Sequence, residues 1–444
     1  MNFGVVLARL IQKRYFYTFA LLVFFTPLIF VTNTNELFEF PKMFFVYYFA
    51  LFLGAGFFID WLMKGFEIKK PSLVVLIYFL VFVLAVLFST HLYTSVWGYY
   101  TRFNGGLVSI AAFFTIYFVA KNKLSLSEFE HLLLLSLLTV IPVGAYAILQ
   151  HYGLWDFVWT ANAVERAFST IGQPNWLAQY FVMMLPIILH QAVFGEDREL
   201  FWSFVYLIGF SALWFTYSMS GMAGFTASIV AFLILFGLKK RFDKNTLIKF
   251  GVLMFLSLLI GILNLGIFGA RLQDVYKDLK GAIKPAPIVY AADAEEPVPT
   301  PYKVSDPGFI RKGLWLGTWN LIKSSSKNLM IGTGPETYPY TFQPFRPKSL
   351  NYSSEWNYVF NKPHNYYLQM WAETGIFGLA SFGILLYWLF TKLPKFMFPA
   401  LVGFLVTNIF GWPVVSTSLV FWLWLAYSEF RAREVPEKLG KRKI

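Results

Sequence analysis

Long apolar runs constrain this chain more than any other feature of its sequence. Hydrophobic residues make up 57% of the 444 residues and charged residues only 14%, against about 25% charged in soluble domains. An apolar run of roughly 18 residues crosses a bilayer as a helix, because a helix satisfies its own backbone hydrogen bonds. The sequence therefore predicts an all-α polytopic membrane protein with about twelve transmembrane helices. The predicted spans lie near 15–32, 43–63, 71–90, 104–121, 131–150, 173–194, 199–217, 220–238, 250–270, 364–391, 395–412 and 413–430.

The spacing of these runs divides the chain into four parts. Residues 1–270 hold helices one to nine, 271–363 form one large outward loop, 364–430 hold helices ten to twelve, and 431–444 form a basic tail. The last two spans are separated by Gly411 and Pro413. These two residues leave open a broken helix or a re-entrant turn in place of two complete crossings.

Lysine and arginine predict the orientation. If the N-terminus is cytoplasmic, 22 of the 37 basic residues lie in inside segments, and the short outer loops hold only Lys42, Arg102 and Arg166. This asymmetry follows the positive-inside rule and predicts cytoplasmic N- and C-termini. It also explains the net charge of +13 without a nucleic-acid partner, so nucleic acid is not expected.

The large loop has two recognisable parts. Residues 285–307 are rich in proline and acidic residues and lack an apolar period, which predicts a flexible insert. Residues 308–330 have near-helical apolar spacing, which predicts an amphipathic helix lying on the membrane surface. The apolar residues that carry this spacing are Ile310, Leu314, Trp315, Leu321 and Ile322.

Five side chains on the outward face are candidates for chemistry: Arg102, Arg166, Arg311, His364 and Glu373. Guanidinium groups pair bidentately with phosphate oxygens, so three arginines at a membrane surface suit a diphosphate ligand. A histidine suits the orientation or deprotonation of an acceptor hydroxyl near neutral pH. Glu373 follows His364 inside an apolar run, where ionisable groups often mark a site.

Each candidate also has a structural alternative that the sequence leaves open. These alternatives are a head-group anchor for Arg102, a salt bridge to Glu165 or Asp156 for Arg166, a solvated helix face for Arg311, a helix start at the interface for His364 and an interhelical hydrogen bond for Glu373. The chain has no cysteine and no HExxH or DxD motif, so no metal site and no cofactor are expected.

Four segments together resemble the O-antigen ligase/polymerase superfamily of membrane glycosyltransferases. They are Trp97-Gly98 with Arg102-Phe103-Asn104-Gly105-Gly106, then Gly172-Gln173-Pro174-Asn175, then Arg311 with the later Gly332-Thr333-Gly334, and finally His364-Asn365 with Glu373 and Gly375. Their order and predicted topology match the family over roughly residues 95–390.

The resemblance implies a GT-C-like fold and transfer of a glycan from an undecaprenyl-diphosphate carrier on the outer face of the bacterial inner membrane. It implies inversion at the anomeric carbon, with no metal and no nucleotide sugar. Arg311 and His364 take the family's diphosphate and acceptor roles, with Arg166 and Arg102 as further diphosphate ligands. Asn175, Asn365 and Glu373 are possible supporting residues.

Within this family, an O-antigen ligase that acts on lipid A core is favoured. The alternatives are a polymerase that acts on a second lipid-linked glycan and a protein O-oligosaccharyltransferase. From other classes, a polysaccharide flippase would have repeated halves and paired intramembrane charges, neither of which is found in the sequence. A cell-wall polymerase of the shape-and-division type would need an outward catalytic aspartate, and Asp274, Asp278 and Asp306 lie in no recognisable pattern.

One residue departs from the family pattern. The segment Thr216-Tyr217-Ser218-Met219-Ser220-Gly221 resembles the family's Thr-x-Ser-Arg-x-Gly, with Met219 in the arginine position. Methionine cannot pair with phosphate, so Arg166 or Arg102 must supply the missing charge, or the donor binds differently.

Overall fold

The computed structural model describes residues 13–154, 162–195, 198–237, 243–270 and 307–439, and these residues form helices and loops without any strand. The predicted insert at 285–307 lies outside the described residues apart from Pro307. The helices are α1 (Arg14–Phe25), α2 (Glu39–Lys64), α3 (Leu73–Leu87), α4 (Leu92–Trp97), α5 (Leu107–Lys123), α6 (Leu126–Leu138), α7 (Val140–His151), α8 (Pro174–Phe194), α9 (Glu199–Phe215), α10 (Met219–Phe232), α11 (Lys244–Leu263), α12 (Pro307–Lys323), α13 (Ser326–Met330), α14 (Tyr338–Thr341), α15 (Tyr366–Lys392), α16 (Phe398–Thr407) and α17 (Val415–Leu439).

Every predicted span coincides with a helix, which confirms the all-helical class. Among the described residues, six helices are long and apolar enough to cross a membrane by length and composition. They are α2, α8, α11, α15, the joined pair α6 and α7, and α10 with its continuation to Gly237. The chain is therefore a membrane protein, while twelve complete crossings and the position of the large loop stay predictions.

Helix α8 lies at the centre of the bundle. Almost all of its side chains are buried, and it packs against α9, α10 and α16. A helix that is apolar on all sides is stable where protein or lipid surrounds it, and here the surroundings are other helices. Its start is fixed by Gln173, whose side-chain carbonyl accepts from Trp176 N at 3.0 Å, and by Pro174 in the first turn.

A basic cluster marks one end of the bundle. The Asp60 carboxylate at the end of α2 accepts from Arg14 at 2.5 Å and lies 3.8 Å from Lys64 and 3.7 Å from Lys123. All three cations belong to the predicted inside segments, so this end corresponds to the predicted cytoplasmic side. The candidate site residues lie at the other end.

Helix α12 packs its apolar face against protein, so its predicted contact with the membrane through that face is wrong. Ile310, Leu314, Leu321 and Ile322 are buried in a core of their own. The partners come from the rest of the loop and from the start of α15, and include Tyr338, Phe342, Leu350, Phe360 and Ala372. The large loop thus forms a small compact unit on top of α15.

A break in α15 receives a tight turn of the loop. Gly375 has φ 67° and ψ −174° inside α15, a conformation that is essentially restricted to glycine. In the turn, Thr333 N donates to Ala372 O and Gly334 N donates to Glu373 O, both at 2.9 Å. Because these amides already have protein acceptors, the turn is a packing element and not an anion-binding nest.

Helix α16 is only 10 residues long, and the chain from 408 to 414 is not helical. Tyr366 N donates to Asn408 O at 2.9 Å, and the Gln179 amide donates to Asn408 Oδ1 at 2.8 Å. This arrangement agrees with the broken-helix alternative at Gly411 and Pro413. It also brings the 408–414 segment beside the starts of α8 and α15.

Candidate functional site

His364 is held at the junction between the large loop and α15. Its φ of 55° is left-handed, and Asn365 caps α15 by accepting from the amides of Tyr367 and Leu368 at 3.0 Å. On the loop side, Trp315 Nε1 donates to Pro363 O at 3.1 Å. The position of His364 is therefore fixed from both directions. Asn365, predicted as a possible supporting residue, caps the helix, and its support of the reaction stays a prediction.

His364 opens into a small cavity, named here the histidine pocket, of about 340 Å³. Its ring meets that of Trp412 edge to face, with the ring centres 5.1 Å apart. The pocket is lined by Gln173, Asn175, Trp176, Gln179, Ser220, His364, Thr407, Phe410, Gly411 and Trp412. The Pro-Asn and His-Asn motifs, far apart in sequence, thus share one cavity.

Two of the predicted arginines lie beside His364. The Arg102 guanidinium lies 5.0 Å from the ring centre of Trp176 and 6.0 Å from that of Trp412. The Arg311 guanidinium lies 5.9 Å from the ring centre of Phe410. Cations over aromatic faces are favourable, so two guanidinium groups are held against aromatic side chains that line the pocket.

These charges set the protonation state of His364. Burial, followed by the positive charges of Arg311 and Arg102, lowers the pKa of His364 to about 4. The imidazole is therefore neutral at pH 7 and has a nitrogen lone pair that can accept a proton. It can accept a hydrogen bond or a proton from an acceptor hydroxyl, and it is not a charged phosphate ligand.

Arg166 lies next to the segment where the family pattern is broken. Its Nε donates to Thr216 O at 3.0 Å and a terminal nitrogen donates to Asn175 Oδ1 at 3.1 Å. Ser218 Oγ donates to the same Asn175 oxygen at 2.7 Å. Arg166 thus joins the two motifs immediately before Met219. The alternative partner Asp156 lies outside the described residues.

Glu373 serves the packing of the loop. It is buried, its Oε2 accepts from the Gln369 amide at 3.1 Å, and its Oε1 accepts from Tyr338 N at 3.3 Å. It does not line the histidine pocket. The geometry therefore favours the structural alternative for this residue. In the described part of the chain, no group of three or more His, Asp or Glu side chains could hold a metal ion.

Sequence reasoning missed several residues of the site. Trp176 and Trp412 form its aromatic walls, and neither was singled out. Glu39 is 2% exposed and lies outside the second predicted span, which begins at 43, although α2 starts at Glu39 itself. The sequence signal that points to Glu39 is an acidic residue beside a long apolar run.

An apolar groove runs along the outside of the bundle between α9, α10 and α11. It has a volume of about 870 Å³ and its lining includes Trp214, Met222, Phe225 and Met254. Its Trp214 precedes Thr216, whose carbonyl accepts from Arg166. The groove therefore begins close to the arginine side of the site.

The fold and the site define a class: an all-helical membrane protein with a neutral histidine, arginines and aromatic walls at one end of the bundle. Residues 204–383 match the family model described as O-antigen ligase. This match supports the resemblance to the O-antigen ligase/polymerase superfamily over that part of the chain. The searches of curated proteins and of solved structures gave no significant match.

Proposed function

We propose that this protein transfers a glycan from an undecaprenyl-diphosphate donor to an acceptor hydroxyl on the outer face of the bacterial inner membrane. The observation that carries the proposal is the neutral His364 imidazole beside the fixed charges of Arg311 and Arg102. A base and a diphosphate site are the two groups that such a transfer needs, and here the arginines are close enough to His364 to lower its pKa.

The proposed reaction is a single inverting displacement. The acceptor oxygen attacks the anomeric carbon while the bond from that carbon to the diphosphate oxygen breaks. The proton of the acceptor hydroxyl passes to His364, and the negative charge that develops on the diphosphate is stabilised by Arg311 and Arg102. Arg166 adds positive charge beside Met219, where the family pattern has an arginine. The reaction uses no metal and no nucleotide sugar.

The apolar groove between α9 and α11 suits the polyprenyl tail. It is lined by aliphatic and aromatic side chains and begins near Arg166. A donor with its chain in this groove would present its diphosphate to the arginines. If the end of the bundle with Asp60 and its basic partners lies in the cytoplasm, the site faces outward. Undecaprenyl-diphosphate donors are consumed on that side of the membrane.

The test is transfer by the purified full-length chain with an undecaprenyl-diphosphate-linked glycan. His364→Ala and Arg311→Ala should each lower kcat/KM about 100-fold or more, because each removes a group that acts in the transition state. The matched controls are His131→Ala, exposed at the opposite end, and Lys312→Ala, exposed next to Arg311. Wild-type rates in both site variants would refute the proposal.

The same assay separates the possible acceptors. We propose ligase-type transfer to lipid A core, and parallel reactions should offer a second lipid-linked glycan or a serine-containing peptide. Product with lipid A core alone supports the ligase. Product with either of the other acceptors assigns the chain to a polymerase or a protein transferase.

A further inference from the structure

A second and larger cavity, named here the Glu39 chamber, adjoins the histidine pocket. Its volume, including the part that is open to solvent, is about 820 Å³. Trp412 lines both cavities. The Glu39 chamber extends inward between the starts of α2, α15 and α17, and the established family match says nothing about its occupant.

The chamber contains two buried polar atoms without a hydrogen-bond partner among the described residues. Glu39 Oε2 accepts from Val415 N at 2.8 Å, but Glu39 Oε1 has no donor, and Arg102 Nε has no acceptor. A buried polar atom without a partner is unfavourable, because it has lost its hydrogen bonds to water without replacement. A ligand that both donates and accepts hydrogen bonds would satisfy the two atoms.

The charges around the chamber favour a neutral ligand. Glu39 is matched chiefly by the buried Lys42, and Lys362 forms a buried ion pair with Glu336. The remaining charges beside the chamber, Arg102 and the buried Glu373, also have opposite signs. A diphosphate or another multiply charged anion would be repelled by the carboxylates as much as it is attracted by the cations. A hydroxyl group, which is both donor and acceptor, fits this balance.

The remaining wall is aromatic. Tyr78, Phe382, Phe421 and Trp422 line the deeper part of the chamber, and Trp412 lies at its boundary with the histidine pocket. A sugar ring has hydroxyl groups at its edge and apolar C–H groups on its faces. Polar groups on one side and aromatic surfaces on the other match that pattern.

We propose that the Glu39 chamber is a carbohydrate subsite in which the acceptor's sugar ring binds, with Glu39 Oε1 accepting a hydrogen bond from one of its hydroxyls. The assignment to the acceptor rests on the proposed function, while the binding of a sugar does not. Glu39 is here a binding and positioning residue. It orients the acceptor across Trp412 from His364.

The experiment measures sugar binding without any donor. The full chain is placed in lipid nanodiscs, since alkyl-glycoside detergents would compete, and is titrated with the methyl glycosides of glucose and N-acetylglucosamine by saturation-transfer NMR. Glu39→Gln replaces the unpartnered acceptor oxygen with a donor while it preserves the size of the side chain. It should weaken binding about 10-fold or more.

The matched control is Glu36→Gln, which removes the same charge one turn earlier, where Glu36 accepts from Phe40 N and does not line the chamber. Ser418→Leu narrows the chamber without a change in charge and should also abolish the signal. Folding of each variant is checked by its thermal midpoint and elution volume.

Equal binding in Glu39→Gln and Glu36→Gln, or no sugar binding by the wild-type chain, would overturn the subsite. The outcome is independent of the transfer assay. Sugar binding that is lost in Glu39→Gln, together with full transfer by His364→Ala, would preserve the subsite and refute the proposed catalytic site. If the subsite and the proposed catalytic site are both correct, Glu39→Gln should raise the KM for the acceptor and leave the KM for the donor unchanged.

Discussion

His364 shows how its surroundings give one residue its chemistry. Its sequence context marks an interfacial histidine, and nothing in that context predicts its protonation state. The structure adds burial and the charges of Arg311 and Arg102, and together these three factors lower its pKa to about 4. A residue with an ordinary pKa near 6.5 would be partly charged between about pH 6 and 7, whereas this one stays neutral.

This difference predicts the pH dependence of the free enzyme. A base that must be neutral is active above its pKa, so kcat/KM should stay constant from pH 7 down to about pH 5 and should fall only as the pH approaches 4. Arg102→Gln removes a nearby positive charge and should raise the pKa of His364 toward 6.5. The shift is measured by NMR titration of the ¹⁵N-labelled imidazole.

The control for that titration is Lys312→Gln, which removes an exposed charge from α12 and should leave the His364 signal in place. His364→Asn identifies the signal, since asparagine tolerates the left-handed backbone conformation at this position. A wild-type pKa between 6 and 7, or a pKa that is unchanged in Arg102→Gln, would contradict the electrostatic explanation.

Helix α15 joins the large loop to the bundle through its break at Gly375. Sequence periodicity predicts one continuous span at 364–391, and the structure has one helix over Tyr366–Lys392 with a non-helical residue inside it. The break could not be predicted, because it depends on the backbone of Met330 and Ile331, which approaches Gly375 closely. Only tertiary packing reveals why a glycine follows the Glu373 motif.

Gly375→Ala should therefore destabilise the protein. A Cβ at this position would collide with the Met330 backbone and would force a conformation that alanine avoids. We expect a loss of about 2 kcal/mol or more in the free energy of unfolding, seen as a lower thermal midpoint in detergent. Gly383→Ala in the same helix has open space around its Cβ and should leave the midpoint within about 1 °C of wild type or raise it. Equal midpoints for the two variants would show that the break is not required.

The basic cluster and the candidate site lie at opposite ends of the bundle. This separation predicts an orientation in the membrane that cysteine labelling can check. The chain has no cysteine, so a single introduced cysteine reports its own side of the membrane. Lys312→Cys should react with a membrane-impermeant maleimide in intact spheroplasts, and Lys392→Cys should react only after permeabilisation. Both positions are exposed, so a reversed pattern would place the site in the cytoplasm and refute the proposed topology.

The sequence predicted more of the fold than of the site. Apolar runs located the helices because length and composition alone decide which segments can cross a bilayer. The motifs identified His364 and Arg311, but Trp412 and Glu39 come from different parts of the chain and meet only through packing. The apolar face of α12 was assigned to the membrane, since periodicity shows that a face is buried and does not show by what.

Helix α16 is short, and its length bears on how deep in the membrane the histidine pocket lies. The apolar stretch Lys395–Thr407 rises about 20 Å at roughly 1.5 Å per residue, while the hydrocarbon core is about 30 Å thick. If its first residue lies at the cytoplasmic boundary of the hydrocarbon core, the helix stops about 10 Å below the opposite boundary, and Thr407, which lines the histidine pocket, lies at that level. Non-helical backbone is tolerated at such depth only where protein or a water-filled cavity surrounds it. A lipid-borne diphosphate would then meet its partner inside a local depression of the membrane, and the hydrophobic thickness of the surrounding lipid becomes part of the reaction conditions.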